Sequence, residues 1–399
     1  MRLGMGGIFT ILNVNDGTYE EDFRVDNSTT PVGDGTEWSV RLQRLRGGLS
    51  DGVDVVWVDN GCTKLAVLPT RGMGIWKAEV ADLPIKWDSP VERPVHPSFV
   101  DEMRRGGIGW LDGFNELICR CGLSWHGAPG NDIQKNDSGE VTAEQFLPLH
   151  GRIANLSAHE VRVEVSDDGA ISVIGVVDEA SVFGGKLRLT STLTTYIGSN
   201  TFEISDAVQN LGSARAEAEM LYHCNFGQPV LGDGATFHAA ATEVAPRDEH
   251  AASDIDSWTS YSAPTPGYAE QVYFTLPVAD DNGRGLAVLK SSSGEQAVAV
   301  RFDTTSLPWL VMWKNTQAAE DGYCTGIEPG SSLPNLRTFE RQHDRVLNLD
   351  PMQTVTFSLS VSVATSAAQV DNLIGEVASL QASHKQVVHR NPVAEWSAS

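Results

Sequence analysis

The chain has 399 residues, of which 41% are hydrophobic, and a formal net charge of −23 at pH 7. It can therefore bury a large core, but it lacks the basic surface expected of a nucleic-acid-binding protein, so we expect no nucleic-acid partner. We find no apolar stretch that could span a membrane and no signal peptide at the N-terminus, and we expect no membrane association and a cytoplasmic location. The five cysteines have no regular spacing, which predicts reduced thiols.

Alternating apolar and polar residues predict strands along most of the chain. The pattern begins at 53–87 and is clearest at 158–210, where four segments are separated by turn residues. It recurs at 286–302 and at 353–364. Strict alternation places one face of each strand on a core. We therefore predict an all-β fold, a large antiparallel β-sandwich.

Helical signal is scarce. Residues 98–105 predict a short helix with Ser98 as its N-cap, and residues 367–381 carry apolar side chains at helical spacing. No linker and no repeat divides the chain. We predict a single domain over residues 1–383, followed by a loosely held C-terminal tail over residues 384–399.

Four segments combine polar, aromatic and glycine residues in otherwise apolar surroundings, as at strand ends that border a pocket. They contain His150-Gly151, Tyr222-His223-Cys224-Asn225-Phe226, Glu270-Gln271-Val272-Tyr273, and Gly326-Ile327-Glu328-Pro329 followed by Pro334-Asn335. Taken one at a time, each has an ordinary structural explanation. A histidine beside leucine and glycine is commonly a core residue, and a glutamate before proline can be a turn acceptor.

Together, in this order and spacing, the four segments resemble the aldose 1-epimerase (galactose mutarotase-like) superfamily, over roughly residues 50 to 365. The resemblance is strongest to a little-characterised aldose 1-epimerase-like branch. Further shared segments are Arg71-Gly72-Met73, residues 109–123, Pro246-Arg247-Asp248 and Trp313-Lys314-Asn315. The fold implied is the galactose mutarotase-like supersandwich. The activity implied is the interconversion of sugar anomers.

The resemblance also implies roles for individual residues. Glu328 would be the base at the anomeric hydroxyl, His223 the acid at the ring oxygen, and His150 would stabilise developing charge. Glu270 and Asn225 would bind ring hydroxyls, and Trp313 or Trp110 could offer an apolar face to the sugar. A carboxylate and a histidine suit the reaction, since burial moves their pKa values toward each other.

The chain departs from the better-known mutarotases in three respects. Glu270 stands where they have aspartate, and Pro329-Gly330 follows Glu328 where they have glutamine two residues on. Arginines are added within the shared segments: Arg71, Arg120, Arg152 and Arg247. With Lys314, these could bind an acidic or phosphorylated sugar. Alternatively, two or more pair with Asp112, Glu116 or Asp248 as structural salt bridges.

Other functions remain open at this stage. The same residues could serve a sugar C–O lyase or hydrolase, or the protein could bind carbohydrate without turnover. His150, His223 and Glu328 are of metal-ligand type but not at tight ligand spacing, so we expect no metal and no other cofactor. We expect a small-molecule sugar as ligand, and a homodimer is possible through an exposed sheet edge.

Overall fold

The computed structural model describes residues 6–33, 35–136 and 138–398. In these ranges the chain is mostly strand. The first thirteen strands are β1 Gly7–Asn13, β2 Thr18–Tyr19, β3 Arg24–Asp26, β4 Ser39–Arg44, β5 Asp54–Asp59, β6 Thr63–Leu68, β7 Gly74–Val80, β8 Leu83–Ile85, β9 Ile118–Leu123, β10 Gly130–Lys135, β11 Val141–Leu147, β12 Glu160–Val165 and β13 Ala170–Ala180. The remaining thirteen are β14 Lys186–Tyr196, β15 Thr201–Asn210, β16 Ala216–Phe226, β17 Thr236–Ala239, β18 Ala241–Pro246, β19 Gln271–Pro277, β20 Arg284–Lys290, β21 Ala297–Asp303, β22 Trp309–Asn315, β23 Cys324–Gly330, β24 Leu347–Leu349, β25 Thr354–Ala364 and β26 Val387–Val388.

Helices in the described ranges are few and short. The α-helices are α1 Arg104–Gly107, α2 Glu249–Ser253, α3 Arg337–Gln342 and α4 Ala367–Gln381. Short 3₁₀ helices lie at Gly48–Ser50, Pro97–Phe99, Gly109–Gly113, Ile153–Asn155, Ile255–Ser257 and Ala319–Asp321. The predicted all-β class is confirmed.

Two large, mainly antiparallel sheets form a sandwich. The first has the order β17-β20-β21-β25-β15-β14-β13-β12-β1-β2. The second runs β26-β18-β19-β22-β23-β16-β9-β7-β6-β5-β4-β3, with β24 beside β16 and β8 beside β7. A separate hairpin pairs β10 with β11. The four strands predicted within 158–210 are β12 to β15, whose buried positions alternate as the sequence does.

The inner faces of the two sheets share one apolar core. Tyr222 of β16 and Met312 of β22 pack there with Phe202 of β15 and Phe357 of β25. A second, smaller apolar cluster lies on the other face of the second sheet, under the connecting loops. The second sheet is therefore buried on both faces, and its strands carry few exposed positions.

The two predicted helices have different outcomes. Residues 367–381 form α4 as expected, with Val370 and Val377 buried. The single helix predicted at 98–105 is wrong. The chain instead makes a 3₁₀ turn at 97–99, capped by the His96 side chain, and then α1, where Arg105 and Gly106 take positive φ values of 54° and 72°. Those angles break a regular helix.

The C-terminal segment is packed rather than loosely held. Val387 and Val388 pair with β18, and Trp396 is only 8% exposed because it packs edge-on against Trp309 with ring centroids 5.1 Å apart. The carbonyl oxygen of Trp396 accepts a hydrogen bond from Asn335. The segment expected to be a loose tail therefore packs against the second sheet, where the Trp396 ring is buried. Of the predicted domain 1–383, residues 1–5 lie outside the described ranges.

All five cysteines are free thiols, and four of them are buried. None of the helices in the described ranges combines the length and the hydropathy that a membrane-spanning segment requires.

Candidate functional site

The candidate site lies on the face of the second sheet that points away from the first sheet. Neighbouring strands β16, β23 and β22 contribute His223, Glu328 and Trp313 to this face. Because side chains alternate along a strand, Tyr222, Ile327 and Met312 point instead into the core between the sheets. The site is therefore built on adjacent strands with a fixed register.

Gly326 makes room for the carboxylate two residues later on the same face. A Cβ at position 326 would lie 2.2 Å from Oε1 of Glu328. Any other residue would therefore compete with this carboxyl group for its position. The Gly-Ile-Glu element of the sequence thus has a direct steric reason.

His150 reaches the site from the loop after β11. Its φ is 60°, and that of Gly151 is 73°. A Cβ on Gly151 would lie 2.1 Å from the carbonyl oxygen of Trp125 and 2.2 Å from that of Gly122, so only glycine fits. The His-Gly pair is therefore a tight loop that turns the imidazole over the sheet.

His223 and Glu328 form the centre of the site. Nε2 of His223 and Oε1 of Glu328 are 3.2 Å apart, and both side chains are at least nine-tenths buried. The pair is within ion-pair distance but is not aligned as a hydrogen bond, so Oε1 has no hydrogen-bond partner in the described ranges. The His150 ring lies edge-on to the His223 ring, with centroids 5.6 Å apart.

The surrounding hydrogen bonds determine which nitrogen of each imidazole faces the site. Nδ2 of Asn225 donates to the carbonyl oxygens of Glu116 and His223, so its Oδ1 faces Nδ1 of His223, at 2.6 Å. Nδ1 of His223 must then carry a proton and donate. Nδ1 of His150 donates likewise to the carbonyl oxygen of His126, at 2.8 Å. Both neutral rings therefore present an unprotonated Nε2.

Burial sets the protonation of the central pair. Desolvation lowers the pKa of His223 to about 3, with a further lowering from His150 that the hydrogen bond to Asn225 opposes. Desolvation also raises the pKa of Glu328 well above its usual range, and nearby Glu270 raises it further. Burial therefore favours the neutral form of each group, a protonated carboxyl group next to a neutral imidazole.

Aromatic rings surround the pair. The Trp110 ring lies 4.7 Å from His150, that of Phe114 lies 4.9 Å from His223, and that of Trp313 lies 5.3 Å from His223, measured between centroids. Such surfaces suit the apolar face of a sugar ring. Trp110 is 1% exposed, and its Nε1 has no partner in the described ranges.

Glu270 and Arg247 form the rim. Oε2 of Glu270 accepts a hydrogen bond of 2.6 Å from Nε1 of Trp313, and Oε1 lies 3.3 Å from the Arg247 guanidinium. Nε of Arg247 also pairs with Asp248 at 3.0 Å. Both rim residues remain partly exposed, so they are available to a ligand at the mouth of the site.

Arg120 and Lys314, predicted as substrate-binding residues, point to the opposite face of the sheet. Arg120 pairs with Asp206 of the first sheet, and its guanidinium also donates to carbonyl oxygens and to Ser191. Lys314 is directed toward Tyr261 and donates to the carbonyl oxygen of Ser257. Because successive residues of a strand face opposite sides of the sheet, neither side chain reaches the candidate site.

Arg71 and Asn225 form contacts within the protein that hold residues near the site in position. Arg71 is 1% exposed and forms a buried salt bridge of 2.5 Å with Glu116. This is the structural pairing that the sequence left open. Asn225, expected at a ring hydroxyl, uses both ends of its amide within the protein and orients His223. Arg152, which follows the His150 loop, is 46% exposed and lies 3.7 Å from Glu102.

The sequence did not point to Phe114, Asn115 or the cleft beside them. Phe114 contacts both His223 and Trp87, whose ring lies 5.0 Å from it. Trp87, Trp76 and Asn115 line a cleft of about 680 Å³ on this side. Neither the oxygen nor the nitrogen of the Asn115 amide has a hydrogen-bond partner in the described ranges, although the residue is only 3% exposed. A buried amide without a hydrogen-bond partner marks a position where a ligand or an ordered water can bind, and only the tertiary structure reveals it.

Among the described residues, no group of three or more histidine, cysteine, aspartate or glutamate side chains is arranged to hold a metal ion. Aromatic rings pack directly against the histidines of the site.

The comparisons with known proteins agree with this fold. A protein of Klebsiella pneumoniae, proposed to be an aldose 1-epimerase, has a crystal structure that matches 98% of this chain and 99% of its own, with 32% identity and a TM-score of 0.91. A galactose mutarotase-like protein of Clostridium acetobutylicum matches 86% of this chain and 99% of its own at 14% identity, with a TM-score of 0.55. Galactose 1-epimerase of Lactobacillus acidophilus matches 82% and 99% at 11% identity, with a TM-score of 0.52. The last two show the fold alone. No curated protein matches the sequence.

The fold is therefore the galactose mutarotase-like β-sandwich that these proteins share. The model of a domain family of unknown function, DUF4432, matches residues 50–363, which is most of the chain. The chain belongs to this family.

Proposed function

We propose that this protein is a carbohydrate isomerase that interconverts the anomers of a sugar, with Glu328 and His223 as its proton-transfer pair. The observation that carries the proposal is the buried contact between them: a carboxyl group and an imidazole 3.2 Å apart, in surroundings that disfavour the charged form of each. The similarity to the proposed aldose 1-epimerase of Klebsiella pneumoniae supports the same reaction class.

The reaction requires a base and an acid that exchange roles. In ring opening, the proton of the pair first passes from the Glu328 carboxyl group to Nε2 of His223, 3.2 Å away. Glu328, now a carboxylate, takes the proton from O1, the C1–O5 bond breaks, and O5 takes the proton from Nε2 of His223 as a double bond forms between C1 and O1. Rotation about C1–C2 and the reverse steps close the ring on the other face. The pair begins and ends with one proton, so no other acid or base is needed.

The aromatic surroundings serve this step. A sugar stacked on the partly exposed ring of Trp313 excludes water from the pair, and its reacting C1–O5 edge then lies next to the carboxyl group and the imidazole. His150 offers its unprotonated Nε2 to a hydroxyl group. Glu270 at the rim accepts hydrogen bonds from hydroxyl groups of the ring, and its link to Trp313 couples that contact to the stacking surface.

The test is anomer exchange, measured by saturation-transfer NMR with neutral hexoses, uronates and sugar phosphates. Wild-type protein should accelerate exchange for at least one sugar, and Glu328→Gln should reduce that rate by about 10²- to 10⁴-fold, the usual contribution of a general acid or base. Glu203→Gln, a change at an exposed glutamate of β15, is the matched control and should leave the rate unchanged. Unsaturated or hydrated products without faster exchange would instead identify a lyase or hydrolase.

A further inference from the structure

A second polar groove lies beside the β10–β11 hairpin. Its volume is about 680 Å³, and its walls include the hairpin between β13 and β14 and the start of β16. Six cationic side chains line it, and only two carboxylates do: Lys135, Arg152, Lys186, Arg215, Arg337 and Arg341 against Glu179 and Glu217. In a chain with 29 basic and 52 acidic residues, this reverses the overall balance.

Two of the cations are structural. The Arg341 guanidinium is occupied by Glu217 and Asp132, and Arg337 pairs with Asp132 and donates to the carbonyl oxygen of Ser124. These bonds attach α3 to the β10–β11 hairpin. They also mean that the carboxylate of Glu217 is already neutralised.

The other four cationic side chains are available to bind a ligand. Lys135 and Lys186 are exposed and form no ion pair within the described ranges. Arg152 and Arg215 are 46% and 64% exposed, and their nearest paired carboxylate oxygens lie at 3.7 and 3.3 Å. Exposed contacts of this kind contribute little to stability. Their donors are therefore free to bind oxyanions.

The second carboxylate of the groove faces inward. Glu179 is 6% exposed and accepts hydrogen bonds from the backbone nitrogens of Leu123 and Ser124 and from the Ser124 hydroxyl. Neither carboxylate therefore opposes an anion in the groove. Among the lining residues, six cationic side chains stand against two carboxylates.

The neutral lining suits a polyhydroxylated ligand. Side-chain amides of Gln134, Gln145 and Asn348 offer both donors and acceptors, and Phe183 stands fully exposed at the tip of the β13–β14 hairpin. Amides combined with an exposed aromatic ring are suited to hydroxyl groups and the apolar face of a sugar. Arg152 is two residues from His150, so one short loop borders both the groove and the candidate active site.

We propose that this groove binds an acidic saccharide through its carboxylate or phosphate groups, with Lys135 and Lys186 as principal contacts. The saccharide nature of the ligand rests on the proposed function, whereas the anion binding does not. The anionic-sugar hypothesis thereby moves from Arg71 and Arg120, which are buried in ion pairs, to a surface that a ligand can reach.

Isothermal titration calorimetry with tetragalacturonate, glucose 6-phosphate and maltotetraose tests the inference. We expect tetragalacturonate or glucose 6-phosphate to bind at least tenfold more tightly than the neutral maltotetraose, and to lose affinity between 50 and 500 mM NaCl. Preference for the first identifies carboxylate as the recognised group, and preference for the second identifies phosphate. Equal affinity for all three ligands overturns the proposal.

Paired variants locate the binding. Lys135→Ala with Lys186→Ala should weaken anion binding about tenfold, whereas Lys290→Ala with Lys385→Ala makes the same change in net charge elsewhere and should leave it unchanged. Equal losses in both double variants would mean non-specific attraction and overturn the site. Glu328→Gln should bind the anion as wild type does. Lysine-dependent binding without anomer exchange therefore refutes the proposed function alone, and exchange without lysine-dependent binding refutes the groove alone.

Discussion

Replacing Glu219 with glutamine should stabilise the protein at neutral pH, by an amount that grows as the pH rises. Glu219 lies on β16 and is 2% exposed. Its Oε1 accepts a hydrogen bond of 2.9 Å from Ser332, whose hydroxyl is in turn 2.8 Å from Nε2 of His126. Oε2 has no hydrogen-bond partner in the described ranges. Glutamine preserves the acceptor and removes the ionisation.

The magnitude follows from the pKa. Desolvation raises the pKa of Glu219 from 4.5 to about 8, although the hydrogen bond from Ser332 opposes the shift. Between these values the folded protein holds one proton more than the unfolded chain, so its free energy of unfolding falls by about 1.4 kcal/mol per pH unit. At pH 7 this amounts to about 3 kcal/mol, and below pH 4.5 it vanishes.

Urea unfolding at pH 5, 6, 7 and 8 measures this difference. The gap in unfolding free energy between Glu219→Gln and wild type should widen from pH 5 to pH 8. The exposed Glu203→Gln variant should follow wild type at every pH. A gap that does not change with pH would mean that Glu219 titrates normally in the folded protein and would refute the reasoning.

Three further predictions concern the site and its support. The pH–rate profile of kcat/KM for anomer exchange should show no midpoint near 6.5, the usual pKa of histidine, because burial lowers the pKa of His223 to about 3 and raises that of Glu328 above its usual range. A midpoint near 6.5 would contradict this. Arg120→Leu should lower the free energy of unfolding in urea by about 3–5 kcal/mol, because it leaves Asp206 buried without its ion-pair partner. Adding Asp206→Leu should recover much of that loss. A small loss of stability in Arg120→Leu alone would argue against a buried ion pair. Asn115→Leu should change the free energy of unfolding by less than about 1 kcal/mol, since the amide has no hydrogen-bond partner to lose. The same variant should raise KM for the sugar. A loss of stability of about 2 kcal/mol or more would show that the amide is hydrogen-bonded in the folded protein.

Local pattern was sufficient for much of the fold. Strands β12 to β15 and helix α4 follow directly from alternation and helical spacing, because each buries one face regardless of its partners. The pattern failed at 98–105, where positive φ values at Arg105 and Gly106 interrupt an otherwise helical composition. It failed again at the C-terminus, where pairing with β18 and the packing of Trp396 on Trp309 hold the segment in place.

The sequence by itself determined the all-β class and singled out His150, His223 and Glu328 through the order and spacing of their flanking motifs. The structure supplies the steric reason for the glycines at 151 and 326 in two of these motifs. Only the tertiary structure decided which charged residues share their face. Arg120 lies opposite Tyr222 in the β9–β16 register, one position out of phase with His223, and Lys314 is one residue from Trp313. A shift of one residue moves a side chain to the other side of a sheet. For Arg120, the face relative to His223 depends on the pairing of β9 with β16, which lie far apart in the chain, and composition and local pattern do not encode that pairing.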